Sequence, residues 1–283
     1  YDPLRHFTPV TLLGDSPYFV LVHPSVPAQN VKELIAHARA HPGKLNYASA
    51  GNGSPHHLAM EFFKSMTGSK LTHVPYKGNA QMIPALLAGD VQFMFITIPP
   101  ILPHIRSQKV RALAMATPQR STLMPDVPTV SEAGVPGYDT AVWFGIFAPK
   151  GTSAAVINRL YEAILQAIRL PDVENGYLVL GNVAITSRPE EFGAFIRAEI
   201  DRWNKTIDVA KVPRGKPMCG LQTRHWALRR AASFFLCAVA GMAIGQPYPS
   251  KPVRIVTSLP GSGGDIVARW LAQDLFTYLG QRV

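Results

Sequence analysis

Two stretches of this 283-residue chain carry residue types that can hold a small anion through the backbone alone. The first is Leu45 to Leu58, LNYASAGNGSPHHL, which reads as a strand from Leu45 to Ala48, a turn from Ser49 to Gly53 and a helix opening at Ser54. Ser54 suits the N-cap and Pro55 the first helical position, while Leu58, Phe62, Phe63 and Met66 supply one apolar face. The junction Ser49, Ala50, Gly51, Asn52, Gly53 and Ser54 leaves several N–H groups unpaired at the positive end of a helix dipole. The second stretch is a strand, Pro252 to Ser258, running into Leu259-Pro260-Gly261-Ser262-Gly263-Gly264 and then a helix with Asp265 near its start. It repeats the same chemistry. Strand-to-helix turns are common in α/β proteins and most bind nothing, so the pair carries weight only in context.

Other chemistries find little support. Neither turn is followed by Gly-Lys-Ser/Thr, and Gly261 to Gly264 lacks the dinucleotide spacing and a suitably placed acidic residue, so nucleotide binding is disfavoured. His56 and His57 are adjacent on a helix, hence about 100° apart, with no third ligand nearby; they read as helix-start packing, not as a metal site. Ser54 lies outside any G-x-S-x-G elbow. His73 and His104 read as surface or internally satisfied residues, and Glu61, Glu132, Glu199 and Asp201 as ordinary solvated helix charges. No residue set demands catalysis, a metal or a cofactor.

The elements that must position these turns alternate strand and helix. A strand, Tyr18 to Val22, precedes a capping box, Asn30-Val-Lys-Glu33, that opens a helix ended by His41-Pro42-Gly43. Beyond the first turn come a strand from Leu71 to Val74, a helix capped by Asn79 with Ile83, Leu86 and Leu87 inward, and a strand from Val91 to Phe95. A strand from Val110 to Ala116 leads into a Pro-rich passage, Thr117 to Tyr138, with a short helix expected at Val127 to Ala133. A strand from Val142 to Ala148 precedes a helix carrying Ile157, Leu160, Ile164 and Ile168. Ser187-Arg-Pro-Glu190 is expected to cap a last long helix bearing Phe192, Phe195, Ile196, Ile200, Trp203 and Ile207. Short connections between alternating elements predict an α/β fold with a mostly parallel sheet covered by helices.

The charge of +10 is largely local. Between Lys211 and Gln246 lie six basic and no acidic residues, and without them the balance is 22 basic to 18 acidic, which argues against a nucleic-acid partner. Both cysteines, Cys219 and Cys237, fall in that same segment, leaving the rest without disulfide or thiol chemistry. From Met218 the segment has a basic stretch ending at Arg229-Arg230, then an apolar run from Ala231 to Gly245 with small residues at its end. That is too short for a membrane span and fits a secretory signal peptide placed inside the chain; a buried core helix is the alternative, which leaves the flanking basic residues unexplained. Two anion-ready turns in a protein made for export point to a solute-binding protein holding a small carboxylate in a cleft.

The motifs also resemble, in series, the substrate-binding proteins of tripartite tricarboxylate transporters, the Bug-type periplasmic receptors. YDPLRHFTPVTLLG, HPGKLNYASAGNGSPHHLA, VPYKG, ALLAGDVQFMF and PDVPTVSEAGVPGY through the WFG strand follow the family's order over 1–210, and Tyr248 to Leu275 matches its mature start. The resemblance implies a two-lobed periplasmic-binding-protein (type II) architecture, each lobe a mostly parallel sheet flanked by helices. One lobe would be 18–142; the other would combine 1–17, 143–210 and 247–283, with 211–246 as linker and signal-like segment. It further implies a small organic acid between the lobes, gripped by Ser49 to Ser54 with His57, by Tyr76, Lys77 and Gly78 of VPYKG, and approached by Pro260 to Asp265. The implied partner is a membrane permease, and the implied state a periplasmic monomer.

Against the family order the chain is rotated, since the piece matching 247–283 comes first in relatives. The expectation is that the tail of one such receptor is fused to the precursor start of another or of itself. Relatives also have Asp where Ile96 stands, which implies preference here for ligands without an amino group. Two other readings stay open: an α/β enzyme acting on a carboxylate, with His57 as base and the helix turn as oxyanion site, and a ligand sensor for a signalling partner.

Overall fold

In the computed structural model, which describes residues 3–212, one strand organises the rest. After a single helical turn, α1 (Pro3–His6), strand β1 runs without interruption from Phe7 to Val22. The sequence pattern identified only its last five residues, because Pro9, Gly14 and Pro17 read as breakers. They fall instead where the ladder shifts register, between Pro9 and Thr11 and between Leu12 and Gly14, and at the point where β1 changes partners. Phe7 to Pro17 pair antiparallel with β6 (Ala141–Pro149), and Gly14 and Asp15 with the short β7 (Val183–Ala184). From Tyr18 to Val22 the partners are β4 (Phe93–Thr97) and β5 (Arg111–Met115).

The parallel part of the sheet is narrower than expected. Strand β2 (Asn46–Ser49) runs parallel to β3 (Thr72–Pro75) and to β4, whereas every pairing of β1 is antiparallel, giving a mixed sheet in the order β3-β2-β4-β1-β5 with β6 and β7 also on β1. The parallel strands are joined by helical crossovers, α3 (Pro55–Thr67) and α4 (Asn79–Ala88), the connection that parallel pairing requires. Helix α2 (Val31–Ala40) opens as anticipated: Asn30 Oδ1 accepts from Glu33 N at 2.9 Å and Glu33 Oε2 accepts from Gln29 N at 2.7 Å.

Several local expectations give way to tertiary contacts. Asn79 is not a cap; Gly78 holds that position with φ 125°, a conformation that favours glycine. Val127 to Ala133 is not helical, since Thr129 bridges to Met115 and is held by Glu132, whose Oε2 accepts from Thr129 N at 2.7 Å. The Pro-rich passage nevertheless anchors in the core, where buried Tyr138 donates to Ala59 O at 2.9 Å and lies 6.0 Å from Phe95. On α3 the buried face is His57, Met60, Glu61 and Phe63, and Met66 is exposed.

The other end of the molecule is built on β1 and β6. Helices α6 (Ala154–Ile168) and α7 (Pro171–Val179) bury Ile157, Leu160, Ile164 and Tyr177 against Val10 and Leu13, and Tyr177 donates to Leu13 O at 3.0 Å. Helix α5 is a short turn, Leu102–Arg106. The last helix among the described residues, α8 (Pro189–Ala210), lays Phe192 and Ile196 on Leu12. Its cap is not Ser187, whose hydroxyl instead accepts from Leu12 N at 3.3 Å; Glu191 Oε2 accepts from Arg188 N at 2.9 Å and closes the N-terminus.

Phe192 of α8 packs directly over Gly145 of β6: a Cβ there would stand 2.3 Å from Phe192 Cζ and 2.8 Å from Thr11 O. Gly145→Ala therefore costs about 1–3 kcal/mol by overpacking. Urea denaturation checks this, and an unchanged midpoint would show that α8 can be displaced without cost.

Candidate functional site

Parallel pairing brings the carboxyl ends of β2, β3 and β4 to one edge of the sheet, at Ser49, Pro75 and Thr97. In open α/β sheets such an edge is where ligands bind. Two helix N-termini open there side by side, α3 after the turn from Ala50 to Ser54 and α4 after Tyr76 to Gly78, and Tyr76 N donates to Ser49 O at 2.8 Å across the gap. Among the described residues, the N–H groups of Ala50, Asn52, His56, Gly78, Asn79 and Ala80 have no hydrogen-bond acceptor. Six donors at the positive ends of two helices form a strong local preference for negative charge.

The turn is shaped from behind by buried side chains. Ser49 is fully buried; its Oγ accepts from Gly51 N at 3.1 Å and lies 2.6 Å from His73 Nε2. His57 is buried too, and its Nδ1 accepts from Gly53 N at 3.1 Å while its own N–H donates to the Ser54 hydroxyl at 3.3 Å. Ser49 and His57, expected to touch a ligand, thus hold the turn from its inner side. Asn52 and Gly53 are exposed at its outer side, with Ala50, Gly51 and Ser54 half-buried. Gly51 and Gly53 sit at φ 111° and 73°, conformations that side chains rarely adopt. Tyr76, Lys77 and Gly78 do lie at the same edge, and Lys77 N donates to Gln81 Oε1 at 3.0 Å, which turns the chain into α4. Pro260, Gly261, Ser262, Gly263, Gly264 and Asp265, like the signal-like segment and both cysteines, lie outside the described residues.

Charges that read as solvated surface groups prove to be internal. Glu61 is buried, and its Oε1 accepts from the Tyr47 hydroxyl and from Lys64 Nζ, both at 2.6 Å, with His57 Nε2 at 3.8 Å. Glu199 is buried as well; its Oε2 accepts from Trp143 Nε1 and Trp203 Nε1, each at 3.0 Å, and its Oε1 pairs with Arg202 Nε at 3.1 Å. Each spacing looked like exposed helix charge because the partners, Tyr47 and Trp143, come from strands. His73 is the other residue missed: its ring lies between Tyr47, 4.9 Å away, and His57, 4.1 Å away and within 12° of parallel.

Beside the edge, β1 crosses between its two sets of partners, with Tyr18 opposite Thr97. Four buried polar atoms near this crossing have no partner among the described residues: Asp15 Oδ1, Tyr18 OH, His56 Nδ1 and Asn182 Nδ2. Tyr18 and His56 face each other with ring centres 5.1 Å apart, and Ser16 Oγ donates to Asn182 Oδ1 at 2.6 Å. Burial lowers the His56 pKa to about 4, so the ring is neutral. Burial, then the nearby Asp139, pushes the Asp15 carboxyl up from 3.8 to about 6.

An α/β fold in which one long strand serves two sets of partners is the architecture of the two-lobed periplasmic binding proteins, to which this chain is similar in structure. The comparisons with known proteins narrow the class. Residues 1–211 match the tripartite tricarboxylate transporter family receptor, and the chain belongs to that family. It is 35% identical over 203 residues to protein BugT of Bordetella pertussis and 36% identical over 208 residues to a UPF0065 protein of Pseudomonas sp. strain P51, covering 72% and 73% of this chain. The chain spans 62% of the length of each of these relatives. Among solved structures it is similar to R. palustris Rpa4515 with adipate (TM-score 0.68, 35% identity, 75% of this chain and 71% of that one). It is also similar to MatC from Rhodopseudomonas palustris with bound malate (TM-score 0.62, 32% identity, 71% and 69%). The family is one of solute-binding receptors, not enzymes.

Removing the carboxylate that gathers Tyr47 and Lys64 leaves a buried hydroxyl unpaired. Glu61→Ala accordingly destabilises by about 1–3 kcal/mol in chemical denaturation. For Asp15 the sign is opposite. Its raised pKa lets the fold keep a proton that the unfolded chain releases, so this stabilisation is complete below pH 3.8 and is lost as pH rises through about 6. Asp15→Asn, neutral throughout, is expected to gain stability over the parent near neutral pH and little near pH ~4. An equal gain at both values would remove Asp15 ionisation as the cause.

Proposed function

We propose that this chain is the ligand-capturing part of an extracytoplasmic receptor that takes up a small carboxylate and hands it to a membrane permease. The observation that carries the reading is the pair of helix N-termini, α3 and α4, opening side by side with uncommitted N–H groups at one sheet edge. Backbone donors recognise a carboxylate without a dedicated cation, and the unpartnered Tyr18 hydroxyl and His56 ring nitrogen lie buried beside them. Structural relatives solved with adipate and with bound malate support a di- or tricarboxylate as the class.

On this reading the lobe from Tyr18 to about Val142 carries Ala50 to Ser54 and Tyr76 to Gly78. The other lobe combines 1–17, 143–210 and 247–283, bringing the turn at Pro260 to Asp265 against the same ligand. Closure about β1, where the partner change falls between Pro17 and Tyr18, would sequester the acid and present a closed shape to the permease. On the same reading the receptor works in the periplasm, exported if the signal-like segment 218–246 is used as in relatives, and acts as a monomer. Ile96 is fully buried in the apolar layer with Met82 and Leu86, so this position offers no carboxylate for a ligand amine. Plain dicarboxylates are therefore favoured over acidic amino acids.

Thermal unfolding of the full 283-residue chain with a panel of organic acids tests the reading. A bound acid at 100 times its Kd adds about 2.7 kcal/mol of stability. Adipate or malate is expected to stabilise, the matching acidic amino acid less so, and Gly51→Val, which forbids the φ of 111°, to abolish the effect. Stabilisation by no carboxylate, or turnover of any of them, would sink it.

A further inference from the structure

The turn that presents the donors is itself held by two histidines. His57 Nδ1 accepts the Gly53 N–H at 3.1 Å, so that nitrogen carries no proton and the ring's hydrogen sits on Nε2, 3.8 Å from Glu61 Oε1. His73 Nε2 lies 2.6 Å from Ser49 Oγ, and the same oxygen accepts the Gly51 N–H at 3.1 Å. The two rings stack at 4.1 Å. Each glycine of the turn is thus tied, directly or through one hydroxyl, to one ring of a stacked pair, of which His57 is buried and His73 half-buried. None of these atoms is at the outer face of the turn.

We infer that His57, with the His73 ring stacked on it, is a positioning residue that holds the ligand turn while neutral and releases it when protonated, so that ligand affinity falls with acid for a reason internal to the receptor. The inference rests on the carboxylate-receptor reading above. A proton on Nδ1 would turn the acceptor for Gly53 into a donor pointing at a donor, and a charge on both rings would place two cations face to face. The groups around the pair are known. Glu61 and Lys64 face it from α3, Tyr47 from β2, and Lys64 Nζ lies 5.5 Å from the Tyr47 ring. Helix α8 meets α3 through Phe62 and Trp203, away from the rings. Glu61 favours protonation of both histidines and Lys64 opposes it, but burial is the largest influence on each. It lowers the His57 pKa below 6.5 and, helped by His57, lowers that of His73 to about 4. The pair is therefore neutral at neutral pH, and its stabilising contribution is present above pH 6.5 and lost as pH falls towards 4.

His57→Asn separates this from general acid effects, because the Asn Oδ1 can accept from Gly53 N–H and does not titrate. With adipate as the probe, titrated by calorimetry on the full chain, His57→Ala is expected to weaken binding about tenfold at neutral pH, the weight of one lost hydrogen bond. His57→Asn restores most of it. On acidification the wild type loses affinity about tenfold more than His57→Asn, while protonation of adipate itself affects both alike. Identical pH courses for the two proteins would overturn the inference. Nitrogen NMR of the His57 ring and the Gly53 amide supplies a readout that needs no ligand: an Nε2–H tautomer and a Gly53 signal that moves with ring protonation are expected. A ring protonated at Nδ1 near neutral pH, or a Gly53 signal indifferent to the ring, refutes the latch. Failure of adipate to bind any variant would instead count against the carboxylate reading, with the NMR result still deciding the latch.

Discussion

The constraint on which the rest depends is that one strand, β1, satisfies two separate sets of partners. Its first eleven residues pair with β6 and β7, its last five with β4 and β5. Pro17 stands at the change and brings no N–H to either ladder, so the backbone can turn from one set to the other at small cost. Every element near the candidate site is placed by that crossing. Tyr18 opposite Thr97 brings β1 to the carboxyl edge of β2, β3 and β4, and Asp15 opposite Val183 brings the far strands to the same line.

Around the crossing the protein uses buried polar groups in two ways. Behind the turn from Ala50 to Ser54 they are paired: Tyr47, Glu61 and Lys64 meet at one oxygen, and Ser49 and His73 meet at another. A fully satisfied network of this kind fixes one geometry, which suits a turn whose donors must point outward together. Beside the turn the polar atoms of Asp15, Tyr18, His56 and Asn182 stay unpaired among the described residues. Leaving such atoms unpaired is costly, so their concentration at one place, next to six uncommitted N–H groups, sets this edge apart from the rest of the sheet.

Helix α8 ties the arrangement together. It lies on β6 and β1 through Phe192 and Ile196, reaches α3 through Trp203 and Phe62, and buries Glu199 between two indole N–H groups and Arg202. One carboxylate on α8 therefore ties that helix to β6 and holds the Trp203 indole that meets Phe62 of α3.

Local chemistry was legible in the sequence. The caps at Asn30 and Ser54, the proline at the first position of α3 and the turn at Gly51 to Ser54 follow from residue types over a few positions, and the series of motifs identified the receptor family and its α/β fold. What sequence alone could not decide was long-range pairing. Glu61 and Glu199 have the spacing of surface charges, and only strands brought up from elsewhere bury them. His73 looks like an isolated histidine until β3 sets it against β2 and α3. Ser187 was expected to cap a helix and instead serves β1, because Leu12 N needed an acceptor. The antiparallel course of β1 was hidden for the same reason: periodicity records which faces are apolar, whereas direction, partner and register are set by hydrogen bonds between residues far apart in the chain.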